Sequence, residues 1–279
     1  MEFKSVKEVT LSQTPLLKVF ILGGYGTGKS VFASSFPTPG FVFDFDDGML
    51  TYRGRDWDYE TFEKSGKGWV QFEKVYRHVK AAAEAGKYKT IIVDSSTAMT
   101  DIAMERAMQI DPKRSPEGGP IWNVHYMIVK NLVAPRLNNI LTFPCNIVVC
   151  GHWKVTTDQK SGAILSVDPL LTGDLSEKVP GYFDEVYTAF SQMKEGKEQF
   201  HIRTVTKGFY KARSRASGVY RLLPDQIANN YPALVKHLND GARKEEEIKD
   251  KRDEILRKQF EEQEATTTQD TEGEQHDRA

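Results

Sequence analysis

The sequence predicts an α/β fold: a doubly wound, mostly parallel sheet. Three observations predict it. Apolar runs at residues 41–48, 90–96 and 145–152 each end in polar residues, and helical segments separate them. A further apolar run at 16–22 leads into a glycine-rich loop that a helix can follow. The chain has 279 residues, enough for one large α/β core with attachments.

Taken in order, residues 1–15 form an arm ending at Pro15, and residues 16–240 form the core. Leu16 to Leu22 reads as a buried strand, and Val31 to Phe36 can continue as a helix until Pro37 and Pro39 break it. Phe41 to Gly48 is a short strand ending in carboxylates. Residues 49–68 show no clear period. From Trp69 to Ala85 the spacing turns helical, with Val75, Val79, Ala82 and Ala83 on one face and Gly86 as the stop. Thr90 to Ser96 is a strand with an acidic end, and 97–110 is helical. A loop rich in proline and glycine follows, then a helix over 121–141 that Pro135 should kink or divide. Cys145 to His152 is another buried strand, and residues 153–168 form a hairpin-like excursion. Residues 185–191, 199–206 and 209–213 alternate like strands, and 225–239 read as a short helix. A charged helix over 241–264 and a disordered acidic tail over 265–279 complete the chain; the tail has no large apolar residue to bury.

Open sheets of this kind place ligands at the carboxyl ends of their strands. Those ends carry the phosphate-loop residues, Asp44, Asp46, Asp94 and His152, so these groups should converge. Gly23-Gly24-Tyr25-Gly26-Thr27-Gly28-Lys29-Ser30 fits G-x-x-x-x-G-K-[ST] at every specified position, between a strand and a helix. Glycines let backbone N–H groups turn inward around phosphate oxygens at the positive end of the helix that begins near Val31. Lys29 then reaches the β- and γ-phosphates, and Ser30 takes a position on Mg²⁺. Asp94 closes an apolar strand in the manner of a Walker B acid and would hold the same ion. Asp46 is the expected water-activating group, with Asp44 and Asp47 as competitors. His152 could hydrogen-bond the γ-phosphate and report its presence to residues 153–168; the bland alternative is a histidine packed beside Trp153.

Lysine plus arginine totals 38 against 39 acidic residues. No global basic excess announces nucleic acid, so any such site must be local. The strongest basic run is 207–215, where Lys211, Arg213 and Arg215 would share one strand face. Cys145 and Cys150 should face opposite sides of their strand as free thiols. No apolar stretch is long enough to span a bilayer, and the expectation is a soluble cytoplasmic protein without a membrane partner.

These residues together resemble the RecA-like P-loop ATPases of phages, a family of nucleotide-binding and single-strand annealing proteins. The resemblance covers roughly 16–215 and rests on Gly23–Ser30, the strands ending at Asp44, Asp94 and His152, and Lys211-Ala212-Arg213. It implies a RecA-like core, ATP and Mg²⁺ as ligands, and ATP-dependent binding and annealing of single-stranded DNA by rings or filaments, in the host cytoplasm, with a single-strand-binding protein as a further partner. The family usually has a glutamate where Asp46 stands, one methylene longer. Its strand-end sensor falls on His152, and its lysine-x-arginine pair, which reaches the next protomer's γ-phosphate, falls on Lys211 and Arg213. Its DNA-binding loop corresponds to Lys154–Ser166; Lys154 and Lys160 would neutralise phosphates while Trp153 offers a stacking face. The acidic end could compete with DNA for that loop. Two other function classes compete with annealing: a P-loop ATPase acting on protein partners as a loader or assembly factor, and a small-molecule kinase, which the lack of an arginine-rich lid disfavours.

Overall fold

The computed structural model describes residues 16–217 and 223–276, so the 1–15 arm and residues 277–279 lie outside the described residues. Strand β1 (Lys18–Leu22) enters the phosphate loop and α1 (Lys29–Ser34) leaves it. Then follow β2 (Gly40–Asp44), β3 (Trp57–Thr61), α2 (Gly66–Glu84), β4 (Thr90–Asp94), α3 (Ser96–Ile110), α4 (Trp122–Leu141) and β5 (Asn146–Gly151). A hairpin, β6 (Trp153–Thr157) and β7 (Ile164–Pro169), leads to a short α5 (Leu175–Lys178). The chain closes with β8 (Glu185–Lys194), β9 (Lys197–Arg203), β10 (Arg213–Ser214), β11 (Gln226–Ala228) and α6 (Tyr231–His276).

The main sheet has the order β11-β9-β8-β1-β5-β4-β2-β3, with β10 also on β8. From β8 to β3 every pairing is parallel; β9, β10 and β11 add an antiparallel edge. This is the mostly parallel α/β architecture that the sequence predicts. One strand, β5, lies between the loop-bearing β1 and the Asp94-bearing β4. Side chains alternate between two cores, as strand geometry requires. Phe20, Leu22, Ile91, Val93, Ile147 and Val149 face α2, α3 and α4. Val19, Ile21, Ile92, Val148 and Cys150 face α1 and the start of α6, through Phe32, Phe36, Leu234 and Leu238. Cys145 and Cys150 accordingly fall into different cores, both buried and unpaired with each other.

The stretch after Gly48, which shows no clear period in the sequence, holds a 3-10 turn over Met49–Tyr52 and then β3. β3 pairs with β2 on one side alone, so its half-exposed Trp-Asp-Tyr-Glu-Thr shows none of the apolar run of a central strand. The buried face of α2 is Trp69, Phe72, Tyr76, Val79 and Ala83, while Val75 and Ala82 pack at its margin. α4 runs undivided through Pro135, held on both sides of it by buried Val129, Val133, Leu137 and Ile140. The helix expected from 225 begins instead at Tyr231, because β11 pairs with β9 and the Asn230 side chain caps the turn by accepting from the Ala233 N–H at 2.9 Å. That helix runs to His276; Glu261, Glu262, Gln263, Glu264 and Ala265 are good helix formers and no proline intervenes.

Candidate active site

The carboxyl ends of β1, β2, β4 and β5 meet in an open cleft of about 300 Å³. Its floor is the phosphate loop. Gly26 and Gly28 take φ of 69° and 84°, a left-handed backbone that side chains resist. Gly28 is doubly constrained: a Cβ there would lie 2.6 Å from Asn229 Nδ2 and 2.9 Å from the Phe200 ring. Asn229 Nδ2 in turn donates to the Gly28 carbonyl at 2.8 Å. The Thr27 hydroxyl closes the loop on the Gly24 carbonyl at 2.9 Å. Tyr25 stands 90% exposed at the lip, and Val31 is half-exposed on the first turn of α1.

Lys29 is buried, and its ammonium donates to the Gly23 and Gly24 carbonyls at 3.0 and 2.7 Å. Burial lowers its pKa despite the attraction of Cys150, Asp94 and Asp46. Lys29 Nζ also lies 3.4 Å from His152 Nδ1, while His152 Nε2 lies 3.7 Å from Asp46 Oδ2. An ammonium has only protons to offer, so Nδ1 accepts. In a neutral imidazole the ring proton then sits on Nε2, aimed at Asp46. The Thr97 hydroxyl accepts from the His152 backbone N–H at 3.0 Å, and the Tyr25 ring lies 4.7 Å from the imidazole. Partial burial pushes the Asp46 carboxyl up, but hydrogen bonds to His152 and Ser95, and the charges of His152 and Lys29, outweigh it and leave Asp46 below its ordinary value.

Asp94 is almost fully buried at the end of β4, and burial raises its pKa against hydrogen bonds from Ser30 and Tyr52. The Tyr52 hydroxyl donates to Asp94 Oδ2 at 2.8 Å. Burial, then the Asp94 charge, push Tyr52 well above its ordinary value, so the phenol stays a donor. Tyr52 and Asp94 thus form a hydrogen-bonded pair, and Asp94 and Ser30 line the same cleft.

Among the competing acids, Asp44 is turned away. It is fully buried and accepts from the Thr61 hydroxyl at 2.6 Å and the Gly48 N–H at 3.1 Å, which fixes the turn after β2. Asp47 is exposed, with φ of 62°, while Asp46 lines the cleft. Trp153 is half-buried: its indole nitrogen lies 3.5 Å from where a Cβ on Gly24 would sit, and its ring is 5.2 Å from Tyr210. Lys154 and Lys160 are exposed on the β6–β7 hairpin. The expected row of cations in the basic run is not formed, because β10 is two residues long and each cation has its own partner. Lys211 pairs with Asp168 at 3.4 Å, Arg213 donates to the Pro180 and Phe183 carbonyls at 3.0 and 2.7 Å, and Arg215 pairs with Asp184 at 2.8 Å. Sequence reasoning missed Thr51, Tyr52, Phe200 and Asn229. They lie on the stretch without a period and on antiparallel-edge segments far along the chain, where no motif points to them.

The donor set suits a nucleoside triphosphate with Mg²⁺: a left-handed glycine loop, one ammonium, and a serine hydroxyl on the same cleft as a buried carboxylate. Among the described residues no group of three or more His, Cys, Asp or Glu could hold a metal by itself. Mg²⁺ commonly takes one or two protein oxygens and completes its shell with phosphate and water. No helix among the described residues is long and apolar enough to cross a membrane.

Residues 16–216 match the model of a family described as "AAA domain". No curated protein matches the chain at a significant level. Among solved structures, the chain is similar to a KaiC-like protein from the hyperthermophilic archaeon Pyrococcus horikoshii OT3, with 14% identity over 71% of this chain and 81% of that one, at a TM-score of 0.35.

Proposed function

The chain belongs to the AAA domain family of P-loop ATPases, and on that premise we propose that it binds and hydrolyses ATP and uses the cycle to bind single-stranded DNA and anneal or pair strands in phage recombination. The observation that carries the ATPase part is the convergence of Lys29, Ser30, Asp46, Asp94 and His152 on one cleft. Loop N–H groups and Lys29 bind the β- and γ-phosphates, and Ser30 and Asp94 hold Mg²⁺, which neutralises charge on the phosphate oxygens when bound. Asp46 orients the attacking water and takes its proton. Phosphoryl transfer proceeds through a loose transition state, so positioning matters more than basicity, and an Asp46 ionised at neutral pH meets that need. His152, whose Nε2 lies 3.7 Å from Asp46 Oδ2, would exchange its Nε2–H between Asp46 and a γ-phosphate oxygen and act as a sensor at the root of the hairpin.

The DNA part is supported by that hairpin. It begins one residue after His152, stands off the main sheet, and exposes Lys154 and Lys160. Trp153 packs on the phosphate loop, so it would couple the loop to the hairpin as well as offer a stacking face. Lys211 and Arg213 would act on a neighbouring protomer's nucleotide once released from Asp168 and the Pro180 and Phe183 carbonyls, giving a homo-oligomer contacted from both sides. Exposed Val155, Ile164 and Leu165 on the same hairpin favour a second reading, an ATPase that works on a protein partner as a loader or assembly factor. Binding of a single-stranded oligonucleotide across a salt series, with and without a non-hydrolysable ATP analogue, separates the two. The annealing reading expects affinity that rises with the analogue and falls steeply with salt. No affinity at low salt in either state would refute it.

A further inference from the structure

Tyr52 belongs to none of the motifs, yet it is the residue most tightly bound to the metal-holding acid. It is 3% exposed and sits six positions after Asp46, at the end of the 3-10 turn whose Thr51 lines the cleft. Its hydroxyl donates to Asp94 Oδ2 at 2.8 Å, and Ser30 lines the same cleft as Asp94. The ring stands edge-on to Trp57, with centroids 5.9 Å apart at 79°, so the phenol is held from behind. A carboxylate fixed at one oxygen cannot rotate freely, and its other oxygen is left for a cation.

We propose that Tyr52 is a positioning residue of the magnesium site: its O–H locks Asp94 so that the remaining carboxylate oxygen and Ser30 Oγ face the ion together. The proposal rests on reading the cleft as a magnesium–ATP site and deepens that reading. It also ties the ion to Asp46, since one short turn joins the water-orienting acid to the residue that sets the metal-binding acid. A tyrosine serving the fold alone would affect nucleotide binding equally with and without metal.

The test uses the full chain, a non-hydrolysable ATP analogue and Mn²⁺ followed by electron paramagnetic resonance. Tyr52→Phe keeps the ring against Trp57, and its melting temperature without nucleotide checks the fold. In Tyr52→Phe, Mn²⁺ affinity in the presence of the analogue should fall about tenfold, the usual scale for loss of a partner behind a metal ligand. Analogue affinity in EDTA should stay at the wild-type value. Adding Tyr52→Phe to Asp94→Asn should weaken Mn²⁺ no further, because the phenol acts through that carboxylate. Unchanged Mn²⁺ affinity, an equal loss with and without metal, or the same tenfold loss in the Asp94→Asn background would each overturn the role of Tyr52. A wild type whose analogue binding is indifferent to Mn²⁺ would instead overturn the reading of the cleft, and this proposal with it.

Discussion

His152 lies between two charged groups of the cleft, Lys29 on the side of Nδ1 and Asp46 on the side of Nε2. Chemistry at single residues follows from that placement. Lys29→Ala should lower ATP turnover by about 100-fold or more, the scale for removing a donor aimed at developing charge; steady-state phosphate release measures it, and normal turnover would refute the site. Asp46→Asn keeps the shape but cannot accept a proton. It should lower kcat by about 100-fold or more while leaving the Kd for an ATP analogue near the wild-type value, as paired kinetics and titration would show; wild-type turnover would move the role elsewhere. Both cysteines should resist a thiol reagent in the native state: burial pushes Cys145 up to about 11 and Cys150 well above its ordinary value. Reaction before unfolding, followed by absorbance, would contradict their burial. Lys29, Ser30 and Asp94 were legible in the sequence because each sits on a motif with an obligatory neighbour. Tyr52 and Asn229 were not, since a residue that acts by reaching across the fold leaves no spacing to read.

Among the elements, α2 and α4 are clamped by one pair. Arg136 donates to both Glu73 oxygens at 2.7 and 2.8 Å and lies over the Tyr76 ring. Arg136→Lys loses the fork, and partial exposure limits the loss to about 1 kcal/mol; denaturant unfolding measures it, with nucleotide affinity unchanged. β8 and β10 meet over Glu185, which is fully buried and accepts from the Tyr187 hydroxyl and the Ala216 N–H. Burial raises its pKa, so the folded state holds this proton more tightly than the unfolded state. Wild-type stability therefore drops as pH rises from the ordinary glutamate value through the raised one. Glu185→Gln cannot titrate, and its stability relative to wild type should increase as pH rises above the ordinary glutamate value. A difference independent of pH, read from denaturant midpoints, would show that Glu185 does not titrate in the fold. The central strands were legible because burial on both faces makes them continuous apolar runs. β3 and β11 were not, because strands at an edge can stay polar or short.

On the scale of the whole molecule, the sheet brings residues 29, 46, 94 and 152 to one rim, and the order of its strands explains why. β5 lies between β1 and β4, so His152 at its end falls between the loop and Asp94. That convergence could be expected from strand ends alone. The partners of Lys211 and Arg213 could not, because Asp168, Pro180 and Phe183 are brought there by the hairpin and by the turn after α5. If Arg213 serves a neighbouring protomer, Arg213→Ala and Lys29→Ala, each inactive alone, should regain part of the ATPase rate when mixed, since some junctions then hold an intact site and an intact arginine. No recovery at concentrations where the protein assembles would confine Arg213 to its own chain.

The central claim is that the cleft after Leu22 holds a magnesium–triphosphate through Lys29. Calorimetric titration of a non-hydrolysable ATP analogue with Mg²⁺ into wild type and Lys29→Ala tests it most directly. The account expects saturable one-site binding to wild type and an affinity at least about tenfold weaker in the variant, since hydrogen bonds to charged groups contribute ~1.5–3 kcal/mol. Equal binding by the two proteins, or none by either, would contradict it.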